Sequence, residues 1–155
     1  MKANVDALNI IQLGLALSDS QGNLPDFNTP FCYIWEFNFK NFDIHRDYCH
    51  KDSIDLLKRQ GIDFLKNKYK RILSSDFGMM LSDLLFNYFR GLTWISFHSA
   101  YDFAVLLKIL TQHLLSNNAD SFIEQLTYYF GEKIFDIKHT FKFLGDSLHQ
   151  RRRFK

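Results

Sequence analysis

Leu92–Thr111 reads LTWISFHSAYDFAVLLKILT, and its two halves follow different periods. Leu92–Phe97 is a short apolar run rich in β-branched and aromatic residues, which predicts a buried strand. From about Ala100, Phe103, Leu106, Leu107 and Leu110 recur at helical spacing, which predicts a helix with one apolar face. Ser99 stands at the N-cap position. Asp102 falls in the first turn, where the helix dipole favours an anion. Ligands of open α/β sheets gather beyond the carboxyl ends of strands, so Asp102 is a candidate site residue. Ser99-x-x-Asp102 is equally a capping-box-like start, which would make the carboxylate structural. His98 has the same two readings. A single His at a strand end, without a second His or carboxylate at ligand spacing, is more often a hydrogen-bonded packing residue than a ligand or base.

Upstream, Val5–Ile11 finishes a helix or turn, and Ile10–Leu17 is a short apolar strand. Ser18–Asn23, SDSQGN, is a turn in which Gly22–Asn23 suit positive φ. Tyr33–Phe42 sets Ile34, Glu36 and Asn38 against Trp35, Phe37 and Phe39, a period of two that predicts a half-buried strand antiparallel to the first. Asp52–Gly61 reads as a helix capped by Asp52 or Ser53, striped by Ile54, Leu57 and Leu56, and stopped by Gly61. Lys66–Arg71, KNKYKR, is a charge run, read as solvated surface in preference to a phosphate contact. Ser74–Phe89 is a helix capped by Ser75 or Asp76, with Phe77, Met80 and Leu84 inward.

Downstream, Asp120–Phe130 is an amphipathic helix ended by Gly131, and Lys133–Ile137 is a short strand. His139–Leu144 begins a last helix that Gly145 interrupts. Asp136, at the end of the last strand, is a further candidate acid, with a structural reading as the acid at a helix start. Nothing in its spacing requires a pairing with His139. Two strands followed by helices alternating with single strands predict an α/β domain.

A chain of 155 residues can bury a real core as one domain. Its 46% hydrophobic content is ordinary, whereas 17 Phe predict a bulky aromatic core or a large interaction surface. A net charge of +2 is too small to argue for nucleic-acid binding, and Arg151–Arg153 reads as a solvated tail. Cys32 and Cys49 lack CxxC spacing, which predicts reduced thiols rather than a disulfide framework or zinc site. No apolar run approaches the roughly 20 residues of a membrane span. Asp6, Asn9 and Gln12 interrupt Ala7–Leu17 and argue against a signal peptide.

SFHSAYDF at Ser96–Phe103 resembles the second exonuclease motif of the Caf/Pop-type deadenylases, nuclease subunits of the CCR–NOT complex. Asn4–Leu15 (NVDALNIIQLGL), Ile34–Phe39 (IWEFNF), Asp52–Phe64 (DSIDLLKRQGIDF) and Ile134–His139 (IFDIKH) are also similar to that family, in its order and closest to its plant branch. The resemblance runs from Lys2 to His149 and is weak over Leu65–Arg90. Ala104–Val105 replaces the family's Gly-Tyr pair, and Gln150–Lys155 departs from its pattern. It implies a ribonuclease-H-like α/β fold, a mixed sheet flanked by helices, without the family's opening strand and final helices. Residues 1–149 would be a partial Caf-type ribonuclease domain and residues 150–155 a divergent basic tail.

The family is one of four-carboxylate exonucleases that use two divalent ions, Mg²⁺ or Mn²⁺, about 4 Å apart. Asp102 corresponds to one of the four metal-binding carboxylates. The Asp-x-Glu and His-x-Ala-x-Ser-Asp motifs that hold the others have no counterpart in the chain. The resemblance therefore implies a 3′-to-5′ poly(A)-specific exoribonuclease of mRNA deadenylation, impaired or inactive as it stands. Its partners would be poly(A) RNA, CCR–NOT scaffold subunits and a companion deadenylase, in nucleus and cytoplasm, with no membrane. The alternative is a noncatalytic remnant that serves as an interaction module with the scaffold.

Overall fold

The computed structural model describes residues 1–89, 91–98 and 100–141. The elements run α1 (Lys2–Ala7), β1 (Gln12–Leu15), β2 (Trp35–Asn38), α2 (Lys51–Arg59), α3 (Phe64–Lys70), α4 (Ser74–Asn87), β3 (Trp94–Ser96), α5 (Ala100–Thr111), α6 (Ala119–Phe130) and β4 (Ile134–Asp136). Residues 137–141 are helical. The predicted α/β class holds, with one antiparallel and one parallel ribbon. The chain divides into two units, Leu8–Ser74 and Met1–Ala7 with the chain from Ser75 onward.

In the unit Leu8–Ser74, β1 and β2 pair antiparallel, from Gln12 opposite Asn38 to Leu15 opposite Trp35. Phe39, 1% exposed, continues the ribbon by donating its N–H to the Ile11 carbonyl at 2.9 Å. Phe42, Ile54 and Phe64 form the core here. Within Ser18–Asn23 only Gly22 takes positive φ; Asn23 instead donates its N–H and side-chain amide to Asp19. The α2 helix begins at Lys51, one residue before the predicted range. His50 is its N-cap and makes no side-chain capping bond, so neither Asp52 nor Ser53 has that role. Ile54 is buried on α2, whereas Leu56 is 48% exposed and outside the stripe. Lys66–Lys70 of the charge run lies in α3, whose cap Asp63 accepts the Lys66 N–H at 2.9 Å and whose buried residues are Phe64 and Asn67.

The other unit is organised around α5. Phe103, Ala104, Leu106, Leu107, Ile109 and Leu110 are all buried, which extends the predicted face by Ala104 and Ile109. Val5, Ala104, Leu107 and Leu115 form one cluster, flanked by Phe122 and Leu126 of α6. Polar bonds fasten α1 to it. Lys108 Nζ donates to the carbonyls of Val5 at 2.8 Å and Asp6 at 3.0 Å, and the Asp6 carboxylate accepts the Leu115 N–H at 2.9 Å. At the strand end of α5, Trp94, Phe103 and Phe130 meet edge-on, with ring centroids 5.0–6.1 Å apart. Such pairs add about 0.5–1.5 kcal/mol each beyond burial.

On α4 the inward residues are Phe77, Gly78, Leu81 and Leu85. Met80, 61% exposed, and Leu84, 39% exposed, face outward, against expectation. Gly78 decides the rotation: a Cβ there would stand on the Ile109 carbonyl oxygen and 3.1 Å from its carbon, so only glycine permits this approach of α4 to α5. The α4 N-terminus is served neither by Ser75 nor by Asp76 but by Asn41, whose Oδ1 accepts the Ser74 N–H at 2.7 Å. Gly131, at φ 75°, ends α6 and donates its N–H to Thr127. The predicted last helix from His139 lies only partly inside the described residues, and the cap at Ser99 and the tail 150–155 lie outside them.

Candidate functional site

The β3 and β4 strands are parallel, with Trp94 opposite Ile134, Ile95 opposite Phe135 and Ser96 opposite Asp136. Parallel pairing puts both carboxyl ends at one edge, and a helix follows each strand there. The candidate residues Asp102, His98 and Asp136 all come from that edge.

Asp102 is exposed in the first turn of α5. Ser96, the last residue of β3, donates its hydroxyl to Asp102 Oδ2 at 2.6 Å. This short bond to an ionised acceptor fixes the carboxylate rotamer. Oδ1 has no hydrogen-bond partner among the described residues. The sequence pointed to Asp102 but not to Ser96. Its only sequence signal is a hydroxyl at a strand end, a position too common to single out.

Asp136 closes β4. Its Oδ1 accepts two backbone N–H groups, from His98 at 2.9 Å and Lys138 at 3.0 Å. The bond to Lys138 is that of an acid at a helix start, and the bond to His98 ties the exit of β3 to the exit of β4. Of His98 it is the backbone that takes part. The residue is exposed and sits at φ 64°, a left-handed conformation uncommon outside glycine, in which His is among the better tolerated types. The two carboxylates therefore flank one edge, Asp102 held by a side chain of β3 and Asp136 by the main-chain N–H groups of His98 and Lys138.

Hard divalent cations take six or more oxygen ligands. No group of three or more His, Cys, Asp or Glu among the described residues is placed to hold a metal ion. One exposed carboxylate with one oxygen already engaged does not fit a pair of Mg²⁺ or Mn²⁺ ions. Asp102 can contribute one ligand to a site, not build one.

This edge belongs to an α/β fold of the ribonuclease-H-like class, as solved relatives bear out. The chain matches Pop2p of Schizosaccharomyces pombe in its Mg²⁺ and Mn²⁺ bound form with a TM-score of 0.80 at 43% identity, covering 91% of this chain and 54% of that one. It matches the structure of the yeast NOT1 MIF4G domain co-crystallised with CAF1 with a TM-score of 0.77 at 34% identity, covering 96% and 55%. It is 45% identical over 152 residues to a probable CCR4-associated factor 1 homolog of Arabidopsis thaliana, covering 96% of this chain and 54% of that protein. No protein-family model matches. The chain is homologous to CCR4-associated factor 1/Pop2 proteins over most of its own length and spans about half the length of the relatives it matches. No helix among the described residues is long and apolar enough to cross a membrane.

Proposed function

We propose that the chain carries the second-motif half of a 3′-to-5′ poly(A)-specific exoribonuclease acting in mRNA deadenylation within the CCR–NOT complex, in nucleus and cytoplasm. The observation that carries this reading is Asp102. It is exposed at the shared carboxyl edge of two parallel strands and oriented through one oxygen by Ser96, and its other oxygen has no partner among the described residues. A divalent ion, when bound, would supply Lewis-acid stabilisation of phosphate charge and an activated water. Asp102 would give it one oxygen ligand, Ser96 would hold that oxygen in place, and the remaining ligands would come from residues other than those described. Asp136, with two N–H groups on one oxygen, keeps the edge in register.

The test is a chimera in which this chain replaces the matching segment of S. pombe Pop2p. With Mg²⁺ the chimera shortens labelled poly(A), and Asp102→Asn lowers the rate more than about 100-fold, beyond the usual cost of removing an outer-shell partner. The chain alone shortens poly(A) no faster than its Asp102→Ala variant. A folded chimera that is inactive, or active without Asp102, overturns the nucleolytic reading. The second reading, a noncatalytic module binding the CCR–NOT scaffold, is motivated by the likeness to CAF1 seen with NOT1. Under it, the chain captures the NOT1 MIF4G domain equally well with or without Asp102, while the chimera stays inactive.

A further inference from the structure

The segment Lys66–Arg71 holds four cations in six residues, and the fourteen residues Lys58–Arg71 hold six cations against one acid, Asp63. That concentration is hidden in a net charge of +2. In the structure Lys66–Lys70 is helical and Arg71 follows as the C-cap, which sorts the side chains. Phe64 and Asn67 point into the core, and Leu65, Lys66, Lys68, Tyr69 and Lys70 are exposed. Lys68 is neutralised by Asp43 at 2.7 Å. Lys66, Lys70 and Arg71 make no ion pair among the described residues. Lys66 and Lys70 stand one turn apart, about 5–6 Å, a like-charge spacing that by itself destabilises a helix. Beside them runs a second stripe one turn long, Leu65, 64% exposed, and Tyr69, 75% exposed. An exposed aromatic ring next to unpaired cations one turn apart is what a single strand of nucleic acid engages. Phosphates lie against the cations and a base stacks on the ring.

We infer that the exposed face of α3, formed by Lys66, Tyr69, Lys70 and the following Arg71, is a contact surface for single-stranded RNA. The inference rests on the nucleolytic reading for the kind of RNA, a poly(A) tail, and concerns residues separate from the Asp102 edge. The Lys and Arg side chains supply sequence-independent, salt-sensitive attraction, and Tyr69 supplies stacking, which is insensitive to salt.

The experiment measures binding of fluorescent oligo(A) to the full chain by anisotropy, in EDTA, over a series of KCl concentrations. The triple variant Lys66→Gln, Lys70→Gln, Arg71→Gln binds at least about tenfold more weakly at low salt. Its slope of log affinity against log salt falls by about 2, at roughly 0.7 per phosphate contact. Tyr69→Ala weakens binding about fivefold or more at every salt concentration and leaves the slope unchanged. Lys66→Arg with Lys70→Arg binds as the unsubstituted chain does. Thermal unfolding of each variant confirms that the fold is kept, as expected for exposed positions. Unchanged affinity and slope in the triple variant overturns the inference. So does a Tyr69→Ala chain that binds oligo(A) normally while heparin competes as well as RNA, because the face is then a general polyanion surface. Divalent ions and turnover are excluded, so failure of the chimera to shorten poly(A) leaves this result standing, and the reverse also holds.

Discussion

At the scale of single residues, Ser96 and Asp6 make the sharpest predictions. Ser96 acts on Asp102 through one hydroxyl, so Ser96→Ala removes orientation without removing charge. In the chimera with Pop2p, the expected loss of poly(A) shortening is about 10- to 100-fold, with higher Mg²⁺ recovering part of it, and the thermal midpoint little changed. A loss that no Mg²⁺ concentration recovers would count against an orienting role. Asp6 is held below the ordinary carboxyl value of 3.8 first by its bond to Lys2, then by the Leu115 N–H. A depressed carboxylate contributes stability that is present above its unfolded value and lost as pH falls from there through its lower folded value. Denaturant unfolding should therefore show Asp6→Asn destabilised by about 1–2 kcal/mol near neutral pH, with the difference shrinking at pH 3 and below. A constant difference across that range would mean that packing, not ionisation, sets the effect.

At the scale of elements, glycine and asparagine positions decide more than the apolar pattern does. Gly78→Ala should destabilise by about 2 kcal/mol or more, since the new methyl meets backbone rather than a side chain that could swing away. Urea unfolding measures it, and a neutral result would show that α4 can slide. Asn67 is 4% exposed, and its Nδ2 lacks a hydrogen-bond partner among the described residues. Replacing an unsatisfied buried donor by an apolar group of similar shape is neutral or stabilising, so Asn67→Leu should raise the urea midpoint or leave it unchanged.

The same elements show what the sequence could reveal. The β3–α5 stretch was legible because its period changes at one point, and the α6 stop was legible in Gly131. The inward face of α4 was not: Phe77, Met80 and Leu84 recur at helical spacing as well as Phe77, Leu81 and Leu85 do. The choice between them is made by close approach to Ile109, which no local pattern records. The caps of α2 and α4 failed for a related reason. Asn41 lies 33 residues from the N–H it serves, and His50 caps with backbone geometry alone. The α3 helix was hidden because its charges dominate the run and its buried residues are only two. At the site, Asp102 and Asp136 stood out as acids at strand-to-helix junctions, whereas the hydroxyl and main-chain partners that hold them depend on the register of two distant strands.

At the scale of the whole molecule, the parallel ribbon is the exception to ordinary protein architecture. Parallel strands are normally covered on both faces, yet Ile95, 64% exposed, lies opposite Phe135, 52% exposed, with Phe97 beside them at 67%. Contiguous apolar exposure of this kind limits solubility. Ile95→Lys with Phe135→Lys should keep the chain clear, by light scattering, at concentrations where the unsubstituted chain clouds. Equal turbidity would place the liability elsewhere.

The bond from the His98 N–H to Asp136 spans 38 residues. No hairpin can nucleate such a pairing, so α5 and α6 must be in place before β3 and β4 meet, and the entropy of closing so long a loop is met late in folding. The carboxylate edge is thus assembled last and loosened first. In hydrogen exchange, the amides of Trp94 and His98 should open while those along α5 are still closed.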